Sequence, residues 1–159
     1  MTDKCAATEF QAACPTPLGW VAVTTDTAAI VKVSILESRP CVEAGEYPLA
    51  ARACEVLRSW LEGGQWPRFR ALAPQGTEFQ RRVWDALLEI PPGQTRTYGE
   101  LARVLKSSPR AVGGACRRNP IPLLIPCHRV VAANGDGGFA GHTSGRWMDI
   151  KRWLLSHES

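Results

Sequence analysis

The chain changes its sequence pattern once, and that change divides what it can fold into. Up to residue 64, short apolar runs alternate with turn residues; from residue 77 onward, helix-capping patterns recur; between them, residues 65–76 (QWPRFRALAPQG) are Pro-containing and aperiodic. With 159 residues and 45% hydrophobic composition, the chain has apolar material for one domain or two small ones. The pattern places the boundary at two domains, 1–74 and 75–159. Extended disorder, collagen and coiled coil are excluded by this composition. No stretch approaches the roughly 18 uninterrupted apolar residues of a membrane span, and MTDKCAATEF lacks the basic-then-apolar form of a signal peptide. A soluble, intracellular (cytoplasmic) protein is therefore expected, with no membrane partner. In that setting Cys5, Cys14, Cys41, Cys54, Cys116 and Cys127 read as free thiols rather than a disulfide framework.

The first half reads as a small antiparallel sheet: TEFQAAC, a Pro-Thr-Pro-Leu-Gly turn region, WVAVTT and AAIVKVSIL. Residues 37–48 form a loop. Residues 49–61 then set Ala50, Ala53, Cys54, Leu57 and Leu61 at helical spacing, ended by Gly63-Gly64. Beyond the linker, Thr77 with Gln80 is a capping box leading a helix whose Phe79, Val83, Ala86, Leu87 and Ile90 share one face. Thr97 with Glu100 is a second box. Ser108 caps a third helix with Pro109 at its first position, where the missing N–H costs nothing. Two short helices across a tight polar turn make a helix-turn-helix candidate.

Charge separates the halves as well. Residues 1–74 hold seven Lys/Arg against eight Asp/Glu, whereas residues 75–159 hold twelve against seven, and residues 101–135 contain no acid at all. A polyanion is the partner class this suggests; the alternative is a solvated basic face. The third helix carries Arg110, Gly114, Arg117 and Arg118 near one face and is otherwise thin, with Ala111, Gly113 and Ala115. Two helical glycines cost about 1 kcal/mol each relative to alanine, so either tight core packing or close approach of a nucleic-acid backbone must repay them.

Residues 121–125 form an apolar run between prolines, expected as an extended, edge-like segment delivering the chain to Cys127-His128-Arg129. A thiol attacks as thiolate, and free cysteine with a pKa of about 8.5 is only a few per cent ionised at neutral pH. A histidine base and a nearby cation both raise that fraction. Neighbours in an extended segment point to opposite sides, so His128 would reach Cys127 through a water, and its ring would need a third group to hold it. A cysteine beside a histidine can equally be a packing pair. With His128, His142 and His157 the only histidines and no Cys-x-x-Cys, no zinc-site spacing exists.

The run Asn119 to Val131, NPIPLLIPCHRVV, closely resembles the active-site signature of the O6-alkylguanine-DNA alkyltransferases, the methylated-DNA–protein-cysteine methyltransferases. FQRRVWDALLEIPPGQTRTYGELA, RAVGGACRRNP and IKRWLLSHE extend the resemblance over residues 77–158, while the first half matches only in plan. The resemblance implies an α+β protein: a small N-terminal ribonuclease-H-like α/β domain, then a mainly helical, winged-helix-like domain containing the helix-turn-helix. It implies direct-reversal DNA repair, in which O6-alkylguanine, and in some relatives O4-alkylthymine, is flipped out and its alkyl group moved irreversibly to Cys127 in a single turnover. His128 would be the water-linked base, Glu158 the carboxylate orienting it, and Asn119 a hydrogen-bonding group beside the thiol. Tyr98 would crowd the target phosphate and Arg110 fill the vacated stack, with Ala111, Gly114, Arg117 and Arg118 on the DNA. Pro122, Val130, Phe139, Ala140 and Gly141 would line the base pocket. The implied partner is double-stranded DNA bound through the minor groove by a monomer, without cofactor or metal; zinc-bearing relatives use a histidine in the N-terminal half that is absent here.

The sequence departs from that pattern at Pro109, which precedes the finger arginine, and at Ala140, where serine is common. HTSGRWMDI, between Gly141 and Lys151, is longer than in compact relatives and is expected as a pocket-side loop. Glu158 falls on a last turn that could fray. Two non-enzyme alternatives are disfavoured: a lesion-flagging relative would lack the cysteine, and a base-reading transcription regulator needs polar side chains that residues 111–115 do not offer.

Overall fold

The computed structural model describes residues 9–159, which form two compact units, residues 9–74 and 75–159. Cys5 lies outside the described residues.

In the first unit, β1 (Ala12–Thr16), β2 (Gly19–Thr25) and β3 (Ile30–Leu36) make an antiparallel sheet in that order. The expected hairpin is present but tighter than the sequence suggests: Pro15 lies inside β1, opposite Trp20, and the turn is only residues 17–18. A proline is tolerated there because β1 is an edge strand, where no further ladder bond is lost. The Thr16 hydroxyl closes the turn, donating to the Gly19 carbonyl at 2.8 Å and accepting from the Leu18 N–H at 3.1 Å. Helix α1 (Pro48–Leu61) starts on a proline and buries Ala50, Ala53, Leu57 and Leu61 with Val21 and Val23 of the sheet. Its spacing dictates this face. Residues 65–76 are not all linker: the Ile30 N–H donates to the Ala71 carbonyl at 2.7 Å and the Ala73 N–H to the Ile30 carbonyl at 2.8 Å, a parallel bridge beside β3. Such pairing satisfies backbone groups without any side-chain period, so a pattern reading misses it.

Four of the cysteines are buried free thiols, Cys14, Cys54, Cys116 and Cys127. Cys41 is disulfide-bonded, against the expectation of free thiols throughout.

The second unit follows its caps closely. Helix α2 (Glu78–Leu88) and helix α3 (Tyr98–Leu105) each carry a complete capping box, at Thr77/Gln80 and Thr97/Glu100. Helix α4 (Pro109–Arg117) is capped by Ser108, whose hydroxyl accepts from the Ala111 N–H at 3.1 Å. Trp84 of α2 is 1% exposed, and its indole N–H donates to the Ala115 carbonyl at 2.9 Å, fixing α2 against α4. Two short strands unforeseen from sequence, β4 (Arg96–Thr97) and β5 (Val130–Val131), pair in parallel and set the start of α3 beside the residues that follow Cys127. Helix α5 (Arg146–Glu158) closes the unit. Among the described residues no helix is long and apolar enough to cross a membrane.

Leu87 is fully buried on α2, whereas Thr77 acts only at its end. Leu87→Ala should therefore cost about 2–5 kcal/mol of unfolding free energy and Thr77→Ala about 1 kcal/mol, read by urea denaturation. Equal losses would mean that α2 is not anchored through its apolar face.

Candidate active site

The reactive segment is a folded turn, not the extended strand expected from its prolines. Residues 121–125 curl so that the Ile125 N–H donates to the Ile121 carbonyl at 2.9 Å, with Leu123 at φ 75°. The Asn119 side chain staples the curl, its amide donating to the Ile125 carbonyl at 2.8 Å and its oxygen accepting from the Ile121 N–H at 2.9 Å. A leucine at that φ is strained by roughly 1–2 kcal/mol, which these bonds and the burial of Ile121, Leu123, Leu124 and Ile125 offset. Cys127–Arg129 then forms a single 3-10 turn. Opposite-side geometry, argued from an extended chain, does not apply within it.

Two side chains of this region, those of His128 and Arg129, meet the last turn of α5. Nε2 of His128 lies 2.6 Å from Glu158 Oε1. The Nε of Arg129 donates to both Glu158 oxygens at 3.1 Å, its Nη2 also bonds Oε2, and its Nη1 donates to the Ile90 carbonyl at 2.7 Å. His128 and Arg129 are fully buried and the Glu158 side chain is 2% exposed, so this turn does not fray. Burial pushes the His128 pKa down, opposed by Glu158, and keeps the ring neutral. Burial would raise Glu158, but its bonds to His128 and Arg129 hold it below the usual carboxylate value. Arg129, beyond His128 in the Cys127–Arg129 turn, thus serves the carboxylate. Burial also pushes the Cys127 thiol up, against the Asn119 hydrogen bond and the Lys151 charge, both of which favour the thiolate.

A cavity of about 560 Å³ opens beside Cys127. Tyr98, Arg110, Gly114 and Arg117 line it from the helix-turn-helix side, and Phe139, Ala140 and Gly141 from the other. Pro122, Val130, Ala111 and Arg118, expected on the DNA or in the base pocket, are not among its lining residues. Val130 is instead fully buried, with its carbonyl bonded to Lys151. The sequence reading missed Pro109, Gly113, Cys116, Gly138, His142 and Thr143 in the wall. Proximity of Cys116 had a signal, since it falls one turn after Val112 on the buried side of α4. Its thiol is pushed up to about 12, mainly by burial. Tyr98 likewise stays protonated, its phenol raised by burial, and its ring lies where a side chain at Gly137 (φ 75°) would stand, 2.8 Å away.

The far wall is a two-residue turn. Phe139 and His142 exchange both backbone bonds, at 2.8 and 2.9 Å, around Ala140 (φ 51°) and Gly141 (φ 82°). The first residues of HTSGRWMDI form this lip and the rest open α5, where Trp147 packs beside His142 and Phe139, each with ring centroids 6.1 Å away. On α4, nothing lies within 4 Å of a side chain built at Gly114, and only the Tyr98 ring, at 3.9 Å, near one at Gly113. Tight core packing does not explain these glycines; Gly114 leaves an open face between the exposed Arg110, Arg117 and Arg118. No group of three or more His, Cys, Asp or Glu among the described residues could hold a metal ion.

Comparison with known proteins matches this half of the chain to one family. Residues 78–159 match the family model for the 6-O-methylguanine DNA methyltransferase DNA binding domain. A methylated-DNA–protein-cysteine methyltransferase of Methanosarcina mazei is 56% identical over 89 residues, covering 55% of this chain and 54% of that protein, so the match spans about half of its length. The constitutive enzyme of that name from Bacillus subtilis is 38% identical over 119 residues, 73% of this chain and 70% of that protein. Among solved structures, Mycobacterium tuberculosis OGT in complex with DNA is similar with a TM-score of 0.75 and 34% identity, covering 92% of this chain and 90% of that one. The buried cysteine turn, its histidine–carboxylate pair and the helix-turn-helix wall therefore stand in a chain that belongs to the 6-O-methylguanine DNA methyltransferase family.

Proposed function

We propose that this protein repairs DNA by taking the alkyl group of O6-alkylguanine onto Cys127 once and irreversibly. The observation that carries the reading is a buried Cys127 bordering a base-sized cavity, followed at once by a His128 ring held at 2.6 Å by a buried carboxylate. With Nε2 engaged by Glu158, the proton-accepting role falls to Nδ1, reached from the thiol through a bridging water. The thiolate sulfur displaces the alkyl carbon from O6; the C–O electron pair stays on the guanine, which takes up a proton, and a thioether forms. Asn119 and the positive charge of Lys151 favour the thiolate that burial opposes. A thioether has no easy hydrolysis route, so each molecule acts once.

Access to a base in a duplex requires flipping, at a cost of a few kcal/mol. On this reading α4 enters the minor groove along its open Gly114 face, Arg110 occupies the vacated stack, and Tyr98 crowds the phosphate of the turned-out nucleotide. Ala111, Arg117 and Arg118 complete the DNA face, while Phe139, Ala140 and Gly141 hold the base from the lip. Ala140 brings no hydroxyl, which leaves backbone N–H groups to meet the base oxygen. The unit Gln75–Ser159 is then a winged-helix-like DNA-binding and transfer domain and Met1–Pro74 a small ribonuclease-H-like one, and the protein acts as a monomer inside the cell.

Incubation with a duplex carrying one O6-methylguanine should add a single methyl group, mapped to the Cys127 peptide. Methyl on Cys116, or none at all, would sink the assignment. Cys127→Ala should bind the same DNA without transfer. Arg110→Ala should slow transfer from duplex by roughly tenfold, about 1.4 kcal/mol, while sparing transfer from the free modified base; equal losses on both would exclude a flipping role. Stability should decline as pH drops below about 6.5, because His128 takes up a proton in the unfolded chain that its depressed native pKa refuses, and decline again below about 4.5 as Glu158 protonates. Urea midpoints across that range, compared with His128→Gln, test it: an unchanged dependence in the variant would exclude His128 as the source of the first decline.

A further inference from the structure

Lys151 is fully buried on α5, and the chemistry above asks of it only a charge. A buried ammonium is costly unless every proton finds an acceptor. An apolar residue would fill the position at less cost, as Met148, Ile150 and Leu154 do on the same helix. The Lys151 ammonium donates to the Val130 carbonyl at 2.6 Å and the Gly138 carbonyl at 2.8 Å. Val130 follows directly on the Cys127–Arg129 turn, and Gly138 is the wall residue that leads into the Phe139–His142 lip. One side chain thus fastens the chain that leaves the reactive turn to the residue that leads into the lip. Cys127 of the reactive turn, Cys116 of α4 and Asp136 of the loop before the lip face it electrostatically, as does His128. Burial lowers its pKa to about 8, and the thiols and Asp136 pull the other way.

We propose that Lys151 is a positioning residue for alkyl transfer, latching the lip of the base cavity to the reactive turn and placing its positive charge where the Cys127 thiolate forms. The proposal rests on the alkyl-transfer reading above. Two consequences separate from each other. Loss of the charge alone makes the thiolate harder to form, while loss of the latch frees the lip. Lys151→Gln removes the charge and keeps amide donors, Lys151→Met removes both, and Lys151→Arg keeps the charge.

The test follows iodoacetamide modification of the Cys127 peptide against pH without DNA, amide hydrogen exchange over residues 137–142, and the single-turnover methyl-transfer rate. The Gln and Met variants should move the Cys127 midpoint up by about one pH unit and slow transfer tenfold or more, with faster lip exchange in Met. Arg should restore the wild-type midpoint. A midpoint unmoved in Gln and Met, or lip exchange unchanged in Met, overturns the proposal. Absence of methyl transfer in the wild type, with the midpoint shifts intact, overturns the repair reading and leaves the latch. If the neutral variants do not fold, the wild type decides by NMR: the amides of Val131 and Phe139, which share peptide groups with the two bonded carbonyls, should titrate together near pH 8, and independent behaviour overturns the proposal.

Discussion

Glu158 places one carboxylate between an imidazole and a guanidinium, with all three side chains inside the protein. Its bond to His128 fixes the orientation of the ring, and its bonds to Arg129 tie the end of α5 to the reactive turn and, through the Ile90 carbonyl, to the end of α2. A buried ion pair is weak evidence of stability in itself, because desolvation consumes most of the Coulombic gain. Removing one partner is another matter, since the remaining charge is then buried alone. The arrangement therefore specifies a position rather than adding stability, and the position it specifies is that of the His128 ring, the base of the proposed transfer.

Helix α5 extends this function along its length. Trp147, Lys151, Leu154 and Glu158 recur at helical spacing on one face, and each meets a different part of the site or core: the lip rings, the two backbone carbonyls, the apolar interior, and the His128–Arg129 pair. The cavity wall and the His128 ring are held from the same element. A register change in α5 would disturb both together, which gives rigid coupling between the cavity and the histidine that, on the proposed reading, activates Cys127.

What the sequence revealed depended on the range of the interactions involved. The capping boxes at Thr77 and Thr97 and the proline start of α4 were legible because a cap is settled within four residues. The turn at 121–125 was not, because Asn119 overrides the extended preference of a proline-flanked run by bonding both of its ends. Lys151 and the β4–β5 pair depend on groups far away in the chain, and no local pattern marks them. The family signature carried His128 and Glu158 to positions 2.6 Å apart and Cys127 to the wall of the cavity. Pro122 and Val130, which it assigns to the base pocket, are not among the residues lining the cavity, whereas Gly138, His142 and Thr143 are.

Burial does not single out Cys127, the proposed nucleophile, since Cys14, Cys54, Cys116 and Cys127 are all buried and free. Cys116 makes the comparison sharpest, for it borders the same cavity and feels the same Lys151 charge. Its neighbours on α4 offer no proton acceptor, and burial raises its thiol to about 12. Cys127 is also raised by burial, yet the Asn119 bond favours its thiolate and the residue after it is a neutral histidine with a fixed orientation. The difference between the two thiols is therefore where a proton can go. On the proposed reading, in which Cys127 reacts once, a thiol protonated at rest and given an exit for its proton when a base fills the cavity is better protected than a standing thiolate, because oxidation follows thiolate character and exposure.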